Sequence, residues 1–252
     1  MSRFVRTISV TAVAVLALGM ASCGANSGGP TFVPAHSSAA RPSPTPSSCH
    51  LRAIDQGFSV DRHRDIEYAA IIENPCPGVA TNNEVTTQAV DGAGKKMRDG
   101  SFYDLADTRD LPTILPGQKL AVVGTMTSDR NPSFPGGVKS ITVTVGGEHW
   151  QSLDEFDRQH PHWARAKGVD VRLGARGGDG GAWLSFNIDT GSSTNVLSNP
   201  SAAVVMRDHA NRIVSGHYMK IGDPLRKQKT GTWVPANVDR SRTEVYINQK
   251  ID

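Results

Sequence analysis

The chain has 252 residues, with 27 Lys+Arg against 24 Asp+Glu for a formal net charge of +3, and only 6% aromatic residues. That near-neutral balance, without a clustered Lys/Arg field, excludes the usual signature of a nucleic-acid binder. The length allows one large or two ordinary domains once an N-terminal leader is set aside.

The leader comes first. Residues 1–22 combine a basic tip (Arg3, Arg6), an uncharged apolar run from Ile8 to Ala21 and small residues, which is the plan of a secretory signal peptide. The apolar run is about 14 residues, short of the ~20 that a membrane-spanning helix needs, so it is read as cleaved. No other segment is apolar enough to cross a membrane. Met20-Ala21-Ser22-Cys23 resembles a bacterial lipobox, with Met20 where Leu or another aliphatic residue is usual. The resemblance implies that Cys23 becomes the acylated N-terminus, carrying palmitate-type chains, of a lipoprotein on the extracytoplasmic side of the cell membrane. Two or more acyl chains would hold it there stably. Loss of Arg3 and Arg6 reduces the net charge to +1.

Residues 23–48 follow as a Ser/Pro-rich stalk, too poor in apolar side chains to offset the entropy of ordering and therefore expected to be disordered. A flexible tether of this size spans about 28 Å. With Cys23 acylated, Cys49 and Cys76 remain as a pair, and outside the cytoplasm they are expected to form a disulfide. The alternatives, a metal site or a redox dithiol, lack a C-x-x-C or a clustered Cys/His set.

Beyond Cys49 the chain alternates apolar and polar residues in short runs: 66–73, 85–90, 119–126, 140–145, 169–173, 183–188, 203–206, 212–218 and 244–248. Gly, Pro, Asn and Asp separate them, which predicts an all-β chain of sandwich type. An internal repeat lays Val85–Tyr103 on Ser201–Met219, matching Asp91 with Asp208, Gly94 with Asn211 and Lys95 with Arg212. Asp followed by Gly or Asn at this spacing suits a turn. Between the copies, Ser152 and Glu155 form a capping box for a short helix that Pro161 limits. The expected organisation is a first β-sandwich over 49–151, a helix and linker over 152–167 and a second β-sandwich over 168–252.

The runs Thr87–Asp91 and Val204–Asp208, each ending a strand in Asp before a Gly/Asn-Lys/Arg turn, and the later Ile114-Leu115-Pro116-Gly117-Gln118 resemble the FxLYD-type immunoglobulin-like modules of bacterial envelope lipoproteins. The leading Phe and the Tyr of that motif are absent from both copies, and the second copy offers only Lys229-Thr230-Gly231 for the pre-strand turn. Gly24 and the Ala/Gly/Pro-rich stalk resemble actinobacterial lipoproteins. The resemblance implies two tandem immunoglobulin-like domains that serve binding or assembly.

The catalytic motifs G-x-S-x-G, H-E-x-x-H and the P-loop do not occur in the sequence. Gly174–Trp183 reads as a flexible glycine-rich connection. Asp104, Asp107 and Asp110 read as a solvated loop, lacking the dense ligands of a calcium loop, and Arg226–Lys229 as another. His149-Trp150 with His160-Pro161-His162-Trp163 form the one cluster with ligand-binding potential. The expected function is therefore a lipid-anchored, non-catalytic binding or assembly module without cofactor, held to the membrane by its anchor and meeting an envelope protein partner. The alternative is a small-ligand or metal carrier using His149, Trp150, His160, His162 and Trp163 between the domains.

Overall fold

Strand alternation becomes sheet structure in a computed structural model that describes residues 49–61, 65–99, 103–127, 137–147, 149–192 and 194–251. Residues 1–22, Cys23 and the rest of the stalk to residue 48 lie outside the described residues. In chain order the first half contains β1 (Arg52–Val60), β2 (Ile66–Glu73), β3 (Val79–Thr81), β4 (Glu84–Val90), β5 (Arg98–Asp99), β6 (Tyr103–Asp104), β7 (Ala106–Asp110), β8 (Lys119–Met126), β9 (Ser140–Gly146) and β10 (His149–Gln151). The helix α1 (Leu153–Gln159) follows, then β11 (Lys167–Leu173), β12 (Gly181–Asp189), β13 (Ser201–Arg207), β14 (Ile213–Lys220), β15 (Gln228–Trp233) and β16 (Glu244–Asn248). The ladders between strands are antiparallel, and the described residues are all-β with one short α-helix.

Two strand orders repeat. In the first half the sheets are β1-β2-β8 and β7-β4-β9, and in the second they are β11-β12-β15 and β14-β13-β16. Setting aside the small β3–β10 and β5–β6 pairs, each half joins its first, second and fifth strands in one sheet and its fourth, third and sixth in the other. The matched turns are also equivalent in detail. Asp91 N–H donates to Lys95 O and Asp208 N–H to Arg212 O, while Gly94 and Asn211 donate back to the Asp carbonyls. Asp91 Oδ1 accepts Lys95 N–H and Asp208 Oδ1 accepts Arg212 N–H, both at 2.9 Å. Gly94 (φ 77°) and Asn211 (φ 64°) occupy the left-handed region that those residue types tolerate. A further match escaped the sequence reading: Gln118-Lys119 and Gln228-Lys229 stand at the start of β8 and β15. Gln118 Oε1 accepts Leu115 N–H, and Gln228 Nε2 donates to Asp223 O and Arg226 O, so each glutamine ties the turn before its strand. Lys229-Thr230-Gly231, expected as a turn, lies inside β15.

Side-chain parity explains how the halves combine. Ile66, Tyr68, Ala70 and Ile72 of β2 face β4 and β9 to fill the first sandwich. Ala69 and Ile71 point the other way and, with Ala121 and Val123 of β8, pack on Ala203, Val205 and Ile213 of the second half. Ala202, Val204 and Met206 on the opposite face of β13 meet Leu184 and Phe186 of β12 inside the second sandwich. Both middle sheets are thus buried on two faces, and the described residues fall within one compact unit. A continuous apolar run such as AAVVM at 202–206 is what burial on both faces requires. In the first copy the same outward positions are Thr86, half-buried, and Gln88, buried with its amide donating to the Met97 and Leu105 carbonyls.

The predicted helix starts where expected: Ser152 Oγ accepts Glu155 N–H at 3.2 Å, and His160 caps the far end. Only half of the capping box forms, because Glu155 Oε1 accepts Gln159 Nε2 instead of reaching back. Cys49 and Cys76 form the expected disulfide, with Cα atoms 5.7 Å apart, tying the start of β1 to the turn after β2. Buried Asn74 organises that turn, accepting Cys76 N–H and donating to Gly78 O and Ile114 O. Reduction of this bridge is expected to lower stability by about 3 kcal/mol, which for a chain of this size shifts Tm by about 6–12 °C. Calorimetry with and without reductant measures it, and an unchanged Tm would contradict the role given to the bridge.

Candidate functional site

The His/Trp group does not come together as one cluster. Trp150, on β10, packs against the first core beside Val143 and Val145, and the exposed His149 is held through its backbone N–H to Asn83 Oδ1. Trp163 belongs elsewhere, in a small group with Phe156, Val79 and Leu115. There the Phe156 and Trp163 rings meet edge to face at 5.2 Å, and the His160 ring lies 4.7 Å from Phe156. The exposed His162 contributes its carbonyl to Val196 N–H. The hollow beside His160, His162 and Trp163 is about 200 Å³. Among the described residues no group of three His, Cys, Asp or Glu side chains is placed to hold a metal ion.

A larger cleft opens on the second half. It measures about 810 Å³ and is lined by Trp183, Trp233, Asp179, Thr232 and His217, with Glu67 entering from β2 of the first half. This falls within the usual size of small-molecule sites, about 300–1,000 Å³. The β12–β15 register explains the aromatic wall: Trp183 pairs with Gly231 and Trp233 with Gly181. The two tryptophans are therefore diagonal neighbours on one sheet face, each opposite a glycine that leaves the indole room. Trp183 is 62% exposed, against the rule that large apolar groups point inward on β12, where Ala182, Leu184 and Phe186 do. The Lys229 ammonium sits 4.6 Å from the centroid of the Trp183 ring, a cation–π contact.

The glycine-rich stretch expected to be a flexible connection forms the rim and is stitched in place. Gly177 N–H donates to Gly181 O and Val234 N–H to Gly180 O, while Arg176 Nε donates to Val234 O at 2.7 Å. Asp179 Oδ1 accepts Gly181 N–H, and the residue lines the cleft. Gly180 is required here: its φ is +90°, and a Cβ would come within 2.7 Å of Trp233 Nε1.

The floor is polar. Ser215 Oγ donates to Glu67 Oε2 at 2.7 Å. Burial pushes the Glu67 carboxyl above the usual carboxylate range, with the Ser215 hydrogen bond opposing and the charges of Asp61 and Asp65 adding to the rise. Burial holds the His217 imidazole below its ordinary value. The linkage signs are opposite. Folded Glu67 retains its proton as pH rises past 4.5, so its contribution weakens stability through that window. Folded His217 resists protonation as pH falls below 6.5, so its contribution weakens stability in the acid direction. Urea denaturation from pH 4 to pH 8 is expected to show a shallower rise toward neutrality for His217→Gln and a shallower fall above pH 4.5 for Glu67→Gln. Identical pH profiles for both variants and the parent would contradict this environment.

The acidic stretch expected as a solvated loop lies on strands, whereas of the basic stretch Arg226–Lys229 only Gln228 and Lys229 lie in β15 and Arg226 and Lys227 stay in the loop before it. Asp107 and Asp110 lie on β7 and Asp104 on β6, with Asp107 Oδ2 accepting both Tyr68 OH and Arg109 Nε. No protein-family model matches the chain, and no curated protein matches it significantly.

Proposed function

We propose that this chain is a lipid-anchored, extracytoplasmic binding module, non-catalytic, built from two tandem immunoglobulin-like sandwiches and working through the Trp183/Trp233 cleft. The repeated strand order supports the immunoglobulin-like reading, since a first-second-fifth sheet facing a fourth-third-sixth sheet is the Greek-key arrangement of such domains without their last strand. One observation carries the binding reading: Trp183 stands exposed on a sheet face where burial would be favourable, above a cleft completed by a residue of the other half. Solvent-exposed aromatic groups beside fixed polar ones are what recognition uses. The stacked halves keep the cleft rigid, and the stalk after Cys23 gives it reach from the membrane.

The placement is tested by fractionating cells that express the parent chain or Cys23→Ser. The parent is expected in the membrane fraction and in the detergent phase, and the variant in the soluble extracytoplasmic fraction. Equal membrane retention of both would overturn the lipid anchor. The carrier alternative, with metal held by His160 and His162, is tested by calorimetric titration of zinc and copper. Binding lost on changing both residues to Ala would favour it over the module reading.

A further inference from the structure

We infer that the cleft binds an uncharged saccharide chain, an inference that rests on the binding-module reading and names its ligand class. The two indoles lie as diagonal neighbours on one sheet face; the exposed Lys229 ammonium covers one ring face of Trp183, and the surfaces left are adjacent apolar areas of a size that the C–H faces of successive sugar rings can cover. Around them stand groups able to hydrogen-bond a hydroxyl: the Asp179 carboxylate, the Glu67 carboxyl and the His217 imidazole. Polyhydroxylated rings need both at once, an apolar platform under the ring and polar groups at its rim.

Charge excludes the nearest competitors. Glu67 and Asp179 in the lining disfavour a polyanion, and Lys229 over Trp183 disfavours a second cation on that ring. A small apolar ligand would take water from the Asp179 and Glu67 carboxyls and offer them nothing beyond the single bonds they accept from Gly181 N–H and Ser215 Oγ. An extended proline-rich peptide could use the aromatic wall. It would leave the polar floor, with Glu67 already fixed by Ser215, without a function.

The test is co-sedimentation of the mature soluble chain, carrying Cys23→Ser, with two preparations: intact envelope and envelope polysaccharide stripped of protein by protease. Retention on both is expected, with competition by at least one soluble tetrasaccharide among β-1,4-linked N-acetylglucosamine, β-1,4-glucan and α-1,4-glucan. Trp183→Ala and Trp233→Ala are each expected to weaken retention by about tenfold. Trp183→Phe should recover part of the loss, and Tyr218→Ala, at an exposed aromatic residue of a different hollow, should have no effect. Because Trp183 is mostly exposed, its removal should leave Tm unchanged, which separates a lost platform from a lost fold. Retention on intact envelope alone, dependent on Trp183, would overturn the saccharide and keep the binding module with a protein or peptide ligand. Retention indifferent to both tryptophans, or absent from both preparations, would overturn the cleft as the working site.

Discussion

Gly216→Ala is expected to lower stability by about 2–3 kcal/mol, at the upper end for an overpacked core position. For a chain of this size that lowers Tm by about 4–12 °C. Gly216 lies on β14 where the middle sheets meet, and a Cβ there would come 2.5 Å from Tyr68 O and 2.6 Å from Val123 Cγ1. The first of these is a backbone atom of a central strand, so it cannot swing aside as a side-chain tip would. Gly57 on β1 approaches from the other sheet, where a Cβ would overlap Ile213 O. The two glycines let the sheets close to the distance at which Ala69, Ile71, Val123 and Val205 exclude water. Gly222→Ala is the control, since a Cβ there meets nothing within 4 Å. Equal melting temperatures for Gly216→Ala and Gly222→Ala would mean that the sheets are not in contact.

Arg207→Met is expected to destabilise by about 2–3 kcal/mol, through loss of a charge-assisted tie between the halves. Arg207 is only 6% exposed; its guanidinium donates to Asp55 Oδ2 of β1 at 2.6 Å and to Glu244 Oε1 of β16 at 2.9 Å. Asn211 O accepts a third bond, so the turn after β13 is held as well. Burial works against the cation, but the hydrogen bonds it donates to Asp55 and Glu244 outweigh that and keep the charge in place. The carboxylates are themselves over a third exposed, so water takes them up when Arg207 is removed and the penalty stays below that of a fully buried pair. A double-mutant cycle with Asp55→Asn is expected to give a coupling of about 1–2 kcal/mol. Zero coupling would remove this contact from the account of how the halves are joined.

Legibility of the fold followed apolar content. Runs 66–73 and 119–126 coincide with β2 and β8, because those strands present apolar residues in sequence to two buried faces. β7, with the sequence ADTRD, carries almost no apolar signal and read as an acidic loop; it is an edge strand held by its ladder to β4. β1 and β15 were missed for related reasons, glycine and charge interrupting the alternation in Arg52–Val60 and Gln228–Trp233. The Asp-x-x-Gly/Asn turn was legible because its chemistry is local: one carboxylate and one left-handed residue determine it. The contact between the halves was encoded as the change from Thr86 and Gln88 to Ala203 and Val205 at matched positions, a signal visible only once the repeat is extended to its outward faces. The cleft was less legible. Trp183 occupies the polar phase of its strand, and that single out-of-phase aromatic residue was the available clue. Glu67 and His217 join it only through tertiary packing, which no local pattern reports. Trp150 packs with the first core and Trp163 with Phe156, Val79 and Leu115, a division that nearness in sequence does not report.

The measurement that bears most directly on the working surface is site-specific photo-cross-linking in living cells, with the full-length chain carrying a photoreactive residue at Ser185, on the tryptophan face of β12, or at Thr144, on the outer face of β9. Adducts from position 185, suppressed by Trp183→Ala, with none from position 144, are the predicted result. Adducts from position 144 alone, or from position 185 at an unchanged level after Trp183→Ala, would contradict the assignment of the cleft as the face that meets the ligand.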